Sequence, residues 1–527
     1  MIQPQRLTHL LETNSAPDAD DRGAIRAELV PVRARLTDLE AKIAATQAVL
    51  NQLLKEQRQE TEYANRLEGV LSPLRSIPDD ILTEIFEHCC CSIYDRDGAI
   101  LVADEFFPAQ NSTDPLSCPW TLSQVCQNWR AVALSCARLW ATVCMRDPTK
   151  YDSDNGDTVV AIKGACERMR LLLSRSKGAD LRVFYNGHGR EGASVDMFKV
   201  LCEHRDRWRW AHLQVSPLVI KALEGATLPS LTHLTLLLHS VCEELITIHT
   251  PNLLFMEQNR RYRSDLFDVT WDNIHTYSSV DSSMDSIEHL TNVTSLTIRD
   301  TTNLGFDQRR SPAPDTPVVL VKAVQLYIHE FDRISTESSL CAYVFDRFDF
   351  PCLRTLHLTF SEPLMPNMRT AALPSTLTDL TLRYVVDPRS ETQKINWDDV
   401  EELWRHASGV SSMFLNFPAE IPVTEGLERL RKDRNLLPEL TTLRLTYTPV
   451  LLSRLKDTLF SRRQSIKEVH LVLCQETRAA AGEQPESDGI PLTMLSTMVK
   501  AVMDNWQSEI QGLEMKFVCF IDEQTII

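Results

Sequence analysis

The segments LPSLTHLTL (228–236), FPCLRTLHL (350–358), LPSTLTDLTL (373–382) and LPELTTLRL (437–445) share one spacing. Each holds an apolar residue, two variable ones, a second apolar residue, one variable one and a third apolar residue. The triplets are Leu231-Leu234-Leu236, Leu353-Leu356-Leu358, Leu377-Leu380-Leu382 and Leu440-Leu443-Leu445. The last two members alternate with polar residues, as a half-buried strand requires. The proline ahead of each triplet marks entry from a turn. The same spacing recurs at Trp210-Leu213-Val215, Val293-Leu296-Ile298, Val321-Val324-Leu326, Val410-Met413-Leu415, Ile466-Val469-Leu471 and Ile510-Leu513-Met515. Weaker copies lie near Pro251–Met256 and Trp271–Ile274.

Helical patterns separate these copies, as in Val400-Leu403-Trp404 and Leu495-Met498-Val499-Val502-Trp506. Upstream, Ile162, Ala165, Cys166, Met169, Leu172 and Leu173 make one helical face, and LRVFY (181–185) reads as a strand. Strand alternating with helix predicts a mixed α/β fold with parallel strands. Over residues 159–520 the pattern resembles the leucine-rich repeats, which stack such units into a solenoid of parallel strands and helices. The sequence departs from that family at one place. The usual Asn, three positions after the last apolar residue, is replaced by His239, Thr301, Ser361, Val385, Thr448 and Cys474. The repeats are therefore read as degenerate, without an asparagine ladder.

Before them, LRSIPDDILTEIFEHCC (74–90) and TLSQVCQNWRAVALSCARLW (121–140) read as two short apolar-faced helices. Ser76 and Asp79 have capping-box spacing, and Pro78 suits a first helical turn. Leu122, Val125, Cys126, Trp129, Val132 and Ala133 fall at the spacing of one continuous helix. Two such helices bury too little surface to stand alone, so they need a partner surface. The pattern resembles the F-box. The residues carrying the likeness are Ile77, Pro78, Asp80, Ile81, Leu82, Ile85, Phe86, Val125, Cys126, Trp129, Arg130, Leu139 and Trp140. Ile77 and Asp80 stand where the family has Leu and Glu, and residues 92–118 form an insert where it has a short turn. The resemblance covers residues 72–146 and implies binding of a Skp-type adaptor through these residues, and through it a cullin.

At the N-terminus, residues 1–28 are polar and read as a loose tail, and 521–527 as a second short tail. From 29 to 71 a seam runs through Leu29, Val32, Leu36, Leu39, Ile43, Thr46, Leu50 and Leu53, in steps of three and four. It is interrupted at Gln57 and Glu60 and resumes at Ala64, Leu67 and Leu71, with Pro31 expected in the first turn. Two readings are open: a coiled coil for self-association, or a single amphipathic helix folded back on the chain.

A net charge of −17 argues against general nucleic-acid binding, which needs basic surface. No basic and apolar leader and no membrane-length apolar run is present, and most of the fourteen cysteines sit in apolar patterns typical of reduced thiols. These features predict a cytoplasmic or nuclear chain. No catalytic constellation is found. The calcium-like run Asp152–Asp157 meets Lys163 where a glutamate is required. Cys89-Cys90-Cys91 and Cys118 lack the pairing of a zinc site. The expectation is a non-enzyme without cofactor or metal. What the F-box resemblance implies is a substrate-recognition subunit of a Skp–cullin–F-box ubiquitin ligase, its protein substrate and substrate-binding residues unidentified. The alternative is a protein-interaction scaffold outside any ligase.

Overall fold

The computed structural model describes residues 2–13, 15–91, 111–146, 157–187, 191–239, 246–259, 267–280, 284–300, 317–330, 340–360, 373–385, 395–417, 423–446, 451–474, 501–502, 504–506, 509 and 514–520. They belong to two compact units, 1–82 and 83–527.

The first unit is helical. Helix α1 (Pro4–Thr13) and the start of α2 (Ala19–Leu71) occupy the segment expected as a loose tail. The signal was a helix cap: Asp18 accepts from the Asp21 N–H, and Asp20 and Asp21 sit at the positive end of the helix dipole. Arg6 donates to the Asp21 carboxylate at 3.0 Å and ties α1 to α2. Helix α2 runs unbroken for 53 residues, about 80 Å at 1.5 Å per residue. It buries no residue. Because it begins at Ala19, Pro31 lies in its interior instead of its first turn. After a 3-10 turn at Pro73–Ser76, helix α3 (Asp79–Cys91) begins. The Ser76 hydroxyl donates to the Pro73 carbonyl at 2.7 Å and closes that turn, so it does not form the expected capping box.

The second unit carries a sheet of fourteen strands among the described residues, neighbours in space following chain order. The strands are β1 (Thr142–Arg146), β2 (Leu181–Asn186), β3 (Trp208–Val215), β4 (His233–Leu238), β5 (Phe255–Asn259), β6 (Thr276–Val280) and β7 (Ser295–Asp300). They continue as β8 (Gln325–Glu330), β9 (Thr355–Phe360), β10 (Asp379–Tyr384), β11 (Ser412–Asn416), β12 (Thr442–Thr446), β13 (Glu468–Cys474) and β14 (Glu514–Phe520). Every adjacent pair is parallel. Parallel neighbours require a crossover between them. Helices α4 (Cys118–Val125) and α5 (Gln127–Ser135) precede the sheet. Helices α6 (Asp157–Arg175) and α7 (Glu191–Cys202) follow β1 and β2, and α8 (Leu340–Arg347), α9 (Trp397–His406), α10 (Val423–Lys432) and α11 (Leu451–Ser461) come later.

Register explains the recurring triplets. Leu356 pairs with Leu380, Leu380 with Met413, Met413 with Leu443 and Leu443 with Val469, an apolar column fully buried along one face. At the entrances of β5 to β13, one carbonyl at the start of the preceding strand receives two N–H groups. Thr294 O accepts from Val324 and Gln325, Val324 O from Arg354 and Thr355, and Arg354 O from Thr378 and Asp379. This repeated turn satisfies backbone groups that the strands cannot.

Three readings change in register or extent. In β3 the buried set is Trp208, Ala211 and Leu213, while Trp210 lies on the opposite face. In β8 it is Ala323, Leu326 and Ile328, and Val321 is exposed. The weak copies near 251 and 271 are full strands, β5 and β6, whose inward sets are Leu253-Met256-Gln258 and Ile274-Tyr277-Ser279. Buried Gln258 stays satisfied by donating to the Tyr277 and Ser286 hydroxyls. Ile510, Leu513 and the calcium-like run at 152–156 lie outside the described residues.

An asparagine ladder exists too, at the strand entrance. Asn252 Nδ2 donates to Pro229 O at 2.8 Å, Asn273 to Pro251 O at 2.7 Å and Asn292 to Asp272 O at 2.5 Å. Each bond joins one turn to the turn before it. Further along, buried Arg462 does similar work, donating to the carbonyls of Leu430, Asp433 and Leu436 at 2.6–2.9 Å.

Candidate functional site

Helix α3 carries Asp80, Ile81, Leu82, Ile85 and Phe86 of the thirteen singled-out residues. Its acidic first turn, Asp79 and Asp80, favours the helix N-terminus, and Leu82 N donates to Pro78 O at 2.9 Å. The apolar residues of α3 divide by exposure: Leu82 and Phe86 are 1% and 0% exposed, Ile81 and Ile85 50% and 40%. Residues four apart lie on one flank of a helix, so the outward pair is a contiguous apolar strip. Phe86 meets Trp129 edge-on, ring centroids 5.0 Å apart.

The second half of the motif is two helices, where one was expected. Cys126 is extended (φ −156°, ψ 175°) and separates α4 from α5, its Sγ accepting from the Trp129 N–H at 3.4 Å. The break turns Val125 and Cys126 to solvent. Arg130 bends back, Nε donating to Ser123 O at 2.8 Å, and so latches α5 onto α4. Leu139 and Trp140 are buried. Trp140 donates to Ala133 O at 2.7 Å and meets Trp120 edge-on at 5.1 Å. The Arg175 guanidinium lies over both rings, 4.6 Å and 4.5 Å from their centroids, and burial pulls its pKa down.

The thirteen motif residues thus divide into two sets. Leu82, Phe86, Leu139 and Trp140 are buried, and Trp129 and Ile77 half-buried. Pro78, Asp80, Ile81, Ile85, Val125, Cys126 and Arg130 face solvent. From the insert, residues 92–110 lie outside the described residues. Residues 111–117 form turns held to β1, with Ser112 N donating to Cys144 O at 2.8 Å. Cys118 Sγ is hydrogen-bonded to Cys90, which lowers its thiol pKa to about 7. Among the described residues no three His, Cys, Asp or Glu side chains group as a metal site, and no helix is long and apolar enough to cross a membrane.

A second surface is the sheet face opposite the leucine column. There Arg182, Trp210, His233 and Phe255 stand in register on β2 to β5. Trp210 and His233 stack at 4.0 Å, His233 and Phe255 at 5.7 Å, and Arg182 lies 5.7 Å from the Trp210 ring centroid. On β8 and β9, His329 and His357 sit 5.6 Å apart. Burial, reinforced by nearby arginines, pushes their pKa values down to about 3 and about 4. Both rings are therefore neutral near pH 7. The apolar reading drew Trp210 into a triplet on the wrong face, and it had nothing to detect at Arg182, His233, His329 and His357, which fall at variable positions. No family model and no curated protein matches the sequence.

Proposed function

We propose that the chain is the substrate-recognition subunit of a Skp–cullin–F-box type ubiquitin ligase. The carrying observation is the division of α3: Ile81 and Ile85 exposed, Leu82 and Phe86 buried. Exposed apolar side chains at i and i+4 form a strip that a helix lays into a partner's groove. Asp80, Val125, Cys126 and Arg130 add further outward-facing motif residues. In this reading the parallel strands form a degenerate leucine-rich-repeat solenoid. Its open face, with the Arg182-Trp210-His233-Phe255 row, receives the protein substrate. The chain breaks no bonds itself and raises the effective concentration of substrate near the ligase.

The test is affinity capture of the full-length chain with a blot for the Skp adaptor. Wild type should retain the adaptor. Ile81→Asp and Ile85→Asp should lose it while the thermal transition of the sheet is unchanged. Phe86 is unsuited to this role because it is wholly buried, so its loss would report folding. Absence of adaptor from wild type, or its retention by both variants, removes the ligase reading. What then remains is a scaffold that uses the long helix and the sheet, a reading favoured by the exposed length of α2.

A further inference from the structure

Helix α2 presents a stripe with no covering surface among the described residues. Leu29, Val32, Leu36, Leu39, Ile43, Leu50 and Leu53 are 39–68% exposed. An isolated helix gains most of its stability from packing of an apolar face, yet among the described residues this 53-residue helix buries none of its own. The seam positions follow the heptad positions a and d. Leu29, Leu36, Ile43 and Leu50 fall at a, and Val32, Leu39, Thr46 and Leu53 at d, over about three and a half heptads.

The flanking residues select the occupant. At g and e stand Glu28 and Arg33, Arg35 and Glu40, Lys42 and Gln47, then Val49 and Leu54. In a parallel pair each g residue meets the e residue of the next heptad on the other strand. This gives two opposite-charge pairs in each direction, Glu28 with Arg33 and Arg35 with Glu40. Val49 then meets Leu54, which widens the apolar seam, and no pair repels. An antiparallel pair centred on the same seam would set Glu40 against Glu40 and Lys42 against Lys42. After Leu53 the seam meets Gln57 at a and Glu60 at d, where paired carboxylates repel.

We propose that Leu29 to Leu53 pairs with the same segment of a second copy of this chain as a parallel, in-register two-stranded coiled coil. The pairing rests on the heptads of α2 and is independent of adaptor binding. It covers the stripe and ends where Gln57 meets Gln57 and Glu60 meets Glu60 of the second copy.

The experiment is sedimentation equilibrium of the full-length chain, followed by cross-linking. Wild type should give twice the chain mass of 60.0 kDa. Leu36→Asp with Ile43→Asp should give one chain mass while the sheet's thermal transition is retained. Leu36→Cys under mild oxidation should yield a self-linked peptide by mass mapping. With Leu36→Cys and Thr46→Cys in one chain, the 36–36 and 46–46 links should form across the seam. A single-chain mass for wild type, a dimer that survives the double aspartate variant, or a 36–46 link as the main product would each overturn the proposal.

Discussion

Helix α2 and the fourteen-stranded sheet are both written in repeated apolar residues, yet they end in opposite states. In the sheet every inward triplet from β9 to β13 is buried, because the neighbouring parallel strand presents its own apolar residue in register. In α2 the repeat is as regular and nothing is buried. A repeat that pairs with itself along one chain closes its core internally, whereas a heptad seam can pair only with another helix. Helix α3 stands between them, half of its apolar residues inward and half outward. The comparison separates apolar residues that are buried in the fold from apolar residues that are exposed.

The largest effect should come from removing Trp140, the buried ring under Arg175 and against Trp120. Trp140→Ala is expected to cost about 3–5 kcal/mol in denaturant unfolding. Leu380→Ala, in the leucine column, should cost about 2–5 kcal/mol, and Leu36→Ala in α2 should leave the same transition in place. A comparable loss at Leu36 would break the contrast between sheet and helix. Gly426→Ala should cost about 1–3 kcal/mol, since a Cβ there runs into the Trp397 ring and forces α10 away from α9.

Acid should weaken the sheet through its histidines. His212, His329 and His357 have folded pKa values of about 4, 3 and 4 against an ordinary 6.5, each lowered chiefly by burial. Below pH 6.5 the unfolded chain takes up protons that the folded chain refuses, so stability falls as pH drops toward 4. Unfolding free energies measured from pH 7 to pH 4 should fall less steeply for His329→Gln with His357→Gln. A smaller effect is chemical. Cys118, its pKa about 7, should react with iodoacetamide at pH 7 well before buried Cys202, which burial raises to about 12.

The leucine strands were legible because their triplets are literal in the sequence. Two kinds of strand were not. β5 and β6 place Gln258 and Ser279 at the third inward position, and their burial is made tolerable by partners that periodicity cannot foresee. Around β8, Val321 read as inward and is exposed, because Ala323 takes the first place in the triplet. In residues 74–140 the helix over Asp79–Cys91 was legible from sequence. The break at Cys126, which turns Val125 outward, was not, since helical spacing continues across it. The polar residues on the open sheet face lie at variable positions and carry no periodic signal at all.

The most direct measurement is titration of purified Skp adaptor into wild type and into Ile81→Asp with Ile85→Asp, with unfolding of both chains followed in parallel. Exposed-site substitutions away from packing should shift stability by no more than about 0.5 kcal/mol. Saturable binding to wild type, abolished in the variant at unchanged stability, is the predicted result. Equal binding by the two chains, or none by wild type, would contradict the assignment of the outward face of α3 to an adaptor.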